Sequence, residues 1–388
     1  MSVTLKPTVV AHVLYSFDEI GGLENGVVNL INNLPADRFK HIICALTRAG
    51  ELKNRVKSNN VEYYSLNKRI GNDPFLPLRL WKIFRNHNVG VVHLRNWPTM
   101  VEGYIAARMA RVNKIIYSEH GRHFDDLEEG KIFNTLVKKH IFSRVECLLT
   151  VSNQLADEMK QRYGIQKSVK VIPNGVDSRM FCPMPGPVMK ARLGLDPDDF
   201  IVGTVSRLDK VKNLDLFLDA AFQAGFPDRI LIAGDGPERE KLGGIVERHG
   251  ARSRVMLLGN RSDIPDVLNC LDVFVLPSKS EGMSNVVLEA MSCGIPVVAF
   301  DVGGNRALID NEQGGYLIEP YDFGKFLNAL NELACSPGNR ASMGAYNRKK
   351  VVDAFSIEHM AKAYAQLYDL TAANINLQQD LEATGSCA

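Results

Sequence analysis

The chain of 388 residues is too long for one ordinary hydrophobic core and predicts two domains of ordinary size. Its hydrophobic content of 45% and charged content of 23% are average for a soluble globular protein. The formal net charge of +2 gives no indication of a nucleic-acid partner, and none is expected.

The charge is unevenly distributed along the chain. Residues 1–178 contain 25 Lys and Arg against 17 Asp and Glu, a net charge of +8, whereas the remainder has 21 against 27, a net charge of −6. A basic first half would suit an anionic membrane surface or a lipid diphosphate. The alternative is an ordinary solvated surface with a modest excess of basic side chains.

The seven cysteines are scattered and contain no CxxC pair, which argues against a disulfide framework and fits a reducing cytosol. The sequence shows no signal peptide and no apolar stretch near the ~20 residues that a membrane span needs. We therefore expect a cytoplasmic protein that is at most peripheral on the inner face of the cell membrane.

The first predicted domain, residues 1–177, alternates strands and helices. A buried strand at residues 8–17 is followed by the glycine loop of Gly21, Gly22 and Glu24, and then by a helix. Glycines at this place let backbone N–H groups approach a phosphate or a sugar, although a plain turn is the alternative. The alternation predicts a doubly wound parallel sheet, whose ligands bind at the carboxyl ends of its strands.

Three polar residues follow strands of this predicted sheet. Arg95 and Asn96 come after a strand at residues 89–94, and His120 comes after one at residues 114–118. A lone histidine is most often a satisfied structural residue, but His120 precedes a glycine at a strand end, where chemistry is better placed. We expect Arg95 and Asn96 to line a cleft for an acceptor molecule.

Residues 178–199 contain four prolines and no clear periodicity, and are interpreted as an interdomain linker. Asp196, Pro197 and Asp198 spell a DxD, a pattern that holds a metal ion in some transferases. Here it lies in a proline turn away from any strand end, so we interpret it as a solvated turn. The preceding turn at residues 173–177, PNGVD, marks the domain boundary.

The second predicted domain, residues 200–355, begins with a strand at residues 200–205 that ends near Arg207 and Lys212. Two cations this close repel each other unless an anion lies between them, although a basic surface loop is the alternative. Gly234 belongs to a G-x-G pattern in which Arg239 replaces the third glycine of a dinucleotide fingerprint. Asn260 and Arg261 end the next strand and are expected to face a base.

The most informative stretch, LPSKSEGMSNVVLEAMSCGIPVV, runs from residue 276 to residue 298. A buried strand leads into a loop, and a helix follows with Ser284 as the predicted N-cap and Gly294 after its end. Glu281 precedes this helix and Glu289 lies inside it. A ligand with hydroxyl groups at both ends and a phosphate at the positive end of the helix would fit this arrangement. A sugar nucleotide has these groups.

The Glu281 to Glu289 spacing resembles the E-x7-E signature of the family-four retaining glycosyltransferases. The R-x4-K of Arg207 and Lys212, the GDGP at residues 234–237 and the GGLE at residues 21–24 are similar to further motifs of that family. The resemblance implies an α/β protein of the GT-B fold, in which two Rossmann-like doubly wound parallel-sheet domains face a cleft. Ala307 departs from the glutamate that the family often has there.

The resemblance also implies roles for residues. Arg207 and Lys212 would stabilise the departing nucleoside diphosphate, Glu281 would hold the donor sugar, and Glu289 would hold the ribose. His120 would lie near the reacting carbon. Acceptor contacts would come from Glu24, Arg95 and Asn96. The remaining donor contacts would come from the glycine loops, strand ends and helix start: Gly21, Gly22, Gly234, Asn260, Arg261, Gly282, Met283, Ser284 and Asn285.

The implied reaction moves a sugar from a UDP- or GDP-linked donor to a glycan or lipid-linked acceptor and retains the configuration of the donor. It needs no metal ion and no other cofactor. The whole sequence resembles bacterial transferases of exopolysaccharide synthesis. Two alternatives remain open: a non-catalytic sugar-nucleotide-binding partner of another transferase, and a GT-B nucleotide-sugar epimerase.

The end of the chain is predicted to form an amphipathic helix at residues 356–372, followed by a disordered tail at residues 373–388. The resemblance to GT-B proteins implies that this helix crosses back to the first domain. A second amphipathic helix, at residues 131–144, carries Lys138, Lys139 and Arg144 close together. Its apolar face either contacts lipid or packs entirely into the core of the first domain.

Overall fold

The computed structural model describes residues 6–18, 21–69, 73–121, 132–225 and 229–370. The chain divides into two compact units. The first comprises Met1–Pro173 together with Glu358–Ala388, and the second comprises Asn174–Ile357.

The first unit contains a parallel sheet of seven strands: β1 (Thr8–Leu14), β2 (Phe39–Ala45), β3 (Val61–Ser65), β4 (Val91–Arg95), β5 (Lys114–Glu119), β6 (Cys147–Thr150) and β7 (Val169–Val171). Their order in space is β3-β2-β1-β4-β5-β6-β7. The helices that connect them are α1 (Gly22–Asn33), α2 (Leu76–Asn86), α3 (Met100–Met109), α4 (Ile132–Arg144) and α5 (Asn153–Tyr163).

The second unit contains a parallel sheet of six strands: β8 (Ile201–Val205), β9 (Arg229–Ala233), β10 (Val255–Gly259), β11 (Val273–Leu276), β12 (Val297–Phe300) and β13 (Gly315–Ile318). Their order is β10-β9-β8-β11-β12-β13. The helices are α6 (Gly186–Arg192), α7 (Leu214–Gln223), α8 (Arg239–Arg248), α9 (Ile264–Leu268), α10 (Asn285–Ser292), α11 (Asn305–Leu308), α12 (Phe323–Cys335) and α13 (Pro337–Ala354). Both sheets thus have the strand order of a Rossmann fold, which confirms the predicted fold class.

The two faces of the first sheet differ in chemistry because successive side chains of a strand point to opposite faces. One face is apolar: Ala11, Val13, Val92 and Leu94 belong to a buried cluster with α2 and α3. The opposite face buries polar residues from four strands, namely His12, His41, His93, Arg95 and Ser118. A last helix, α14 (Ile357–Tyr368), packs Tyr364 and Tyr368 against this polar face.

Several boundaries differ from the prediction. The predicted linker belongs to the second unit and contains α6, whose Lys190 ammonium is bound by Asp272 at 2.9 Å. Asp196 lies in an exposed turn, where its carboxylate accepts a hydrogen bond from the Asp198 N–H at 3.0 Å. Strand β1 ends at Leu14 rather than at residue 17, and residues 373–388 lie outside the described residues.

Helix α4 packs part of its apolar surface into the core of the first unit, so the interpretation that this face packs entirely into the core is met only in part. Ile141 and Phe142 are buried in the apolar cluster, whereas Leu136 is 60% exposed. Lys138 does not share the exposed surface of Lys139 and Arg144, with which the sequence analysis grouped it. Its ammonium is buried 4.6 Å from the ring centre of Trp97 and 3.2 Å from the hydroxyl of Tyr163. Within the described part of the chain, no helix has the length and apolar character to cross a membrane.

The polar face of the first sheet predicts a loss of stability in acid. Burial lowers the pKa of His41 to about 4 and holds the pKa values of His12 and His93 well below their ordinary 6.5, with a further contribution from the Arg95 charge. Below pH 6.5 the unfolded chain therefore binds protons that the folded unit excludes. Each of the three histidines should lower the free energy of unfolding by at most about 1.4 kcal/mol per pH unit.

Tryptophan fluorescence isolates this effect, since the only two tryptophans of the sequence, Trp81 and Trp97, lie in the first unit. The second unit has one histidine, the exposed His249, and should be much less affected. We expect the fluorescence melting temperature to fall between about pH 7 and pH 5. An unchanged value would show that the imidazoles are not held neutral.

Candidate functional site

Lys212 and Glu281 form an ion pair in the second unit, with Nζ and Oε1 2.7 Å apart. Lys212 ends a short 3-10 turn after β8, where the Asp209 carboxylate accepts hydrogen bonds from the Val211 and Lys212 N–H groups. Glu281 follows β11, which pairs with β8 in the sheet. Both side chains are largely buried, with 19% and 10% exposure. The ion pair therefore lies where the strand order reverses, the place at which α/β sheets bind ligands.

The loop of Glu281 is held from two sides by backbone contacts. The Lys279 N–H donates to the Val211 carbonyl at 2.8 Å, and the Gly304 N–H donates to the Gly282 carbonyl at 2.7 Å. A Cβ on Gly303, which has a φ of 54°, would lie 1.7 Å from the Glu281 carbonyl oxygen. Glycine is therefore required at this position by both conformation and space. The glycine pair after β12 is a determinant of the site that the sequence analysis did not identify.

Helix α10 begins and ends as predicted. Ser284 is its N-cap in an extended conformation, and its side chain makes no capping hydrogen bond. Gly294 follows the helix with a φ of 77°, as expected of a C′ glycine. Asn285 starts the helix and Glu289 lies in its second turn, half-buried.

Asn174 supports the start of α10, although the sequence analysis treated its turn only as a boundary marker. Its side-chain amide donates to the Met283 carbonyl at 3.2 Å. Met283 is itself 6% exposed, so this predicted donor residue has little side-chain surface to offer. The signal in the sequence was the Asn-Gly turn, which gives no information on what the asparagine side chain contacts.

Arg207 is exposed beyond the end of β8, on a loop that the GDGP stretch supports. The Leu208 N–H donates to the Asp235 carbonyl at 2.9 Å. A Cβ on Gly234, where φ is 127°, would lie 1.9 Å from the Ser206 carbonyl oxygen. Gly234 therefore permits the close approach of the two loops, and through it helps to place Arg207.

Asn260 is exposed after β10. The side chain of Arg261 bonds to a residue of its own loop. The Arg261 guanidinium binds both carboxylate oxygens of Asp263, at 2.8 and 2.5 Å. The Gly234 N–H donates to the Gly259 carbonyl at 2.8 Å, which brings this loop beside the previous one. Asn260 and Arg261 therefore border the same edge of the sheet as Lys212, and a contact with a base remains a prediction.

In the first unit, Gly21 is the N-cap of α1 and Gly22 is its first residue. The Glu24 carboxylate folds back over this turn, since a Cβ on Gly21 would lie 2.2 Å from Glu24 Oε2. The side chain of Glu24 is half-buried. The contact of Glu24 with an acceptor stays a prediction. The contacts of Gly21 and Gly22 with a donor also stay predictions.

His120 follows β5 and is held through both its backbone and its ring. Its N–H donates to the Asn96 side-chain oxygen at 3.0 Å, and its Nε2 is 2.8 Å from the Ser118 hydroxyl. Burial lowers the pKa of His120 to about 3, with a smaller contribution from the Arg95 charge. The imidazole is therefore neutral near pH 7 and acts as a hydrogen-bonding group rather than as a cation.

Asn96 lies 8% exposed and has φ 60° and ψ 166°, a conformation that is nearly restricted to glycine. Strain of about 1–3 kcal/mol at such a residue is typical of functional sites. The side chain of Asn96 thus positions His120, and its predicted contact with an acceptor is not tested by this geometry.

The prediction that Arg95 lines an acceptor cleft was wrong. The residue is the last of β4, is 2% exposed and points into the polar face of the sheet. Its Nη1 is 3.0 Å from His12 Nδ1, and its Nη2 is 3.4 Å from the Tyr368 hydroxyl. The sequence analysis ended the strand one residue too early, which assigned Arg95 to the loop.

Among the residues that the structure describes, no group of three or more His, Cys, Asp or Glu side chains is arranged to hold a metal ion. The site in each unit is thus made of strand-end loops, one helix start and a small number of charged or imidazole side chains.

Comparison with known proteins agrees with this architecture. Residues 20–179 match the family described as Glycosyltransferase Family 4, and residues 187–350 match Glycosyl transferases group 1. The Escherichia coli UDP-Gal:alpha-D-GlcNAc-diphosphoundecaprenol alpha-1,3-galactosyltransferase is 32% identical over 304 residues, which covers 75% of this chain and 78% of that protein. The putative glycosyltransferase EpsD of Bacillus subtilis (strain 168) is 28% identical over 312 residues, with coverages of 75% and 80%.

The crystal structure of Anabaena Alr3699/HepE in complex with UDP-glucose superposes with a TM-score of 0.80 at 23% identity, and covers 92% of this chain and 98% of that one. This likeness concerns the fold alone. Together with the two family matches and the 32% identity to the Escherichia coli enzyme, it shows that the chain belongs to the family-four, group 1 glycosyltransferases and has the GT-B fold.

Proposed function

We propose that this glycosyltransferase moves a sugar from a UDP- or GDP-linked donor to a glycan or lipid-linked acceptor, with retention of configuration, in exopolysaccharide or cell-surface glycan synthesis. The observation that carries the proposal is the Lys212–Glu281 ion pair at the strand reversal of the second sheet. This ion pair supports the proposal because a cation suited to a diphosphate and a carboxylate suited to sugar hydroxyls lie within one hydrogen bond of each other.

The ion pair does not prevent Lys212 from binding a phosphate. An ammonium group has three N–H donors, and Glu281 accepts from one of them, so the others can serve an anion. Glu281 meanwhile neutralises Lys212 when no donor is bound, which limits the cost of holding a largely buried cation. Its second carboxylate oxygen is available for a hydroxyl group of the donor sugar.

The departing nucleoside diphosphate would be stabilised by Lys212, by the exposed Arg207 and by the positive end of the α10 dipole. Fixed positive groups of this kind act where charge develops in the transition state. Glu289, inside α10, would bind the ribose. Gly282, Met283, Ser284 and Asn285 would bring backbone groups to the donor, while Gly234, Asn260 and Arg261 would border the base.

His120 would contact the donor sugar from the first unit, with Gly21 and Gly22 beside it and Glu24 toward the acceptor. A lipid-linked acceptor is supported by the Escherichia coli relative, whose name specifies a diphosphoundecaprenol acceptor and a UDP-linked donor. The excess of basic residues in the first half of the sequence suits such a lipid diphosphate. A cytoplasmic location, peripheral to the membrane, is part of the same proposal.

The first test removes each member of the ion pair. Lys212→Ala and Glu281→Ala should each lower kcat about 10²–10³-fold, as the loss of one transition-state contact does. Each should also lower the free energy of unfolding by about 1–3 kcal/mol, because a largely buried charge loses its partner. The loss of unfolding free energy in the double variant should be smaller than the sum of the losses in the two single variants. Transfer assays and denaturant titrations measure both effects.

Lys349→Ala is the matched control, since Lys349 pairs with Asp353 on the exposed surface of α13 in the same unit. An exposed pair of this kind contributes at most about 0.5 kcal/mol, and activity should be unchanged. Wild-type kcat in either site variant would remove that residue from the proposed mechanism. Incubation of the donor alone should give no epimerised sugar; an epimerised product would support the alternative activity.

A second test concerns metal ions. Since Arg207, Lys212 and the start of α10 are proposed as the counter-charges of the diphosphate, transfer should persist at its full rate after chelator treatment. Manganese or magnesium should then add nothing to the rate. Loss of activity on chelation, restored by either ion, would contradict the assignment of the two basic residues.

A third test concerns a peripheral membrane contact through α4. The helix exposes Leu136, Lys139, His140 and Arg144, whereas Lys138 is buried. Lys139→Glu with Arg144→Glu should therefore weaken sedimentation with anionic vesicles at low salt, where screening is small. Lys82→Glu with Lys170→Glu, at exposed residues of α2 and β7 in the same unit, makes the same change of net charge and is the control. Equal vesicle binding by the wild type and the double variant would exclude this helix as the contact.

A further inference from the structure

A continuous chain of hydrogen bonds connects the buried Arg95 guanidinium with the ring of His120. From Arg95 it passes to the Tyr368 hydroxyl at 3.4 Å, from there to His93 Nδ1 at 2.7 Å, and from His93 Nε2 to the Ser118 hydroxyl at 2.8 Å. The last link joins Ser118 to His120 Nε2 at 2.8 Å. The chain uses β4, β5 and α14, three elements of the first unit.

The guanidinium gives this chain a direction because it has five N–H donors and no acceptor. On one side it donates to His12 Nδ1, so the proton of His12 must lie on Nε2, from which it is donated to His41 Nδ1 at 3.0 Å. On the other side it donates to the Tyr368 oxygen. Within the described residues, the remaining partner of this hydroxyl is His93 Nδ1.

The hydroxyl of Tyr368 is fully buried, and its hydrogen therefore needs an acceptor. If it is donated to His93 Nδ1, the proton of His93 lies on Nε2 and is donated to Ser118. Ser118 then donates its own hydrogen to His120 Nε2, and the proton of His120 lies on Nδ1. With the opposite direction, the phenol hydrogen would have no acceptor, at a cost of about 1–3 kcal/mol.

We infer that Arg95 and Tyr368 are positioning residues that fix His120 as the neutral Nδ1–H tautomer, through His93 and Ser118. His120 then presents one N–H donor of defined direction beyond the strand end, where the proposed function places a sugar hydroxyl. The lowered pKa of His120 agrees with an imidazole that stays neutral. The inference rests on the proposed function only for the identity of the group that accepts this hydrogen bond.

The experiment is a ¹⁵N–¹H correlation spectrum of the histidine rings in the full chain at pH 7, in which a nitrogen that carries hydrogen is distinguished from one that does not. The His120 signals are identified by their loss in His120→Gln. In the wild type we expect hydrogen on Nδ1 and none on Nε2. Hydrogen on Nε2 of His120 would overturn the inference directly.

Tyr368→Phe removes the link to Arg95 while it keeps the ring that packs on the sheet. We expect His93 and His120 to become mixtures of tautomers. His12 should stay unchanged because its bond to Arg95 is intact, and His41 because its bond to His12 is intact. Tyr364→Phe is the matched control: its ring lies 6.0 Å from that of His93 on the same helix, and its hydroxyl takes no part in the chain. Unchanged His120 signals in Tyr368→Phe, or equal changes in Tyr364→Phe, would refute the inference.

Ser118→Ala interrupts the hydrogen-bond chain at a second point and replaces Tyr368→Phe if that variant does not fold. It removes the donor to His120 Nε2, so His120 should become a mixture of its two neutral tautomers. His93 should still accept a hydrogen bond from Tyr368 and keep its proton on Nε2. Unchanged His120 signals here would also refute the inference. In transfer assays, Tyr368→Phe should lower kcat about tenfold with unchanged donor affinity, and Tyr364→Phe should not. Because the spectra do not depend on turnover, a chain without transferase activity would still test the tautomer.

Discussion

The reversal of strand order within each sheet is the constraint on which the arrangement of functional residues depends. In both units the first strand lies inside the sheet. The next two strands are added on one side of it, and the remaining strands on the other side. The loops after β8 and β11 thereby leave their strands in different directions and open a crevice between them. Lys212 and Glu281 occupy that position in the second sheet, and Gly21 and Asn96 follow the corresponding strands, β1 and β4, of the first.

Backbone contact between neighbouring loops then fixes the position of each side chain. Gly303 and Gly304 permit the loop after β12 to touch the carbonyl groups of Glu281 and Gly282. Gly234 does the same for Ser206, next to Arg207. A side chain at any of these glycines would separate two loops and move a charged residue with them. The glycines therefore act on the site through geometry.

The buried charge of Arg95 has a comparable influence on the first unit. Within the described residues, its hydrogen-bond acceptors are an imidazole and a phenol rather than a carboxylate. A guanidinium in this position orders the neutral groups around it, since each must turn a lone pair toward the cation. Helix α14 takes part because Tyr368 supplies one of these acceptors. The packing of the last helix and the state of a histidine at the site are thus coupled by hydrogen bonds.

Much of the fold and of the candidate site was predictable from the sequence, for reasons that are local. The alternation of strands and helices indicated two doubly wound sheets, and Ser284 and Gly294 marked the ends of α10, because caps and hydrophobic periods depend on neighbouring residues. The motif spacing also selected Lys212 and Glu281, which the structure joins in one ion pair. What the sequence could not decide was which polar side chains meet across strands. Arg95 was assigned to a cleft and Lys138 was grouped with Lys139 and Arg144, yet both are buried, since their surroundings come from residues distant in the chain. The pairing of Lys212 with Glu281, the support from Gly303 and the link from Tyr368 to His120 likewise exist only once the strands have assembled.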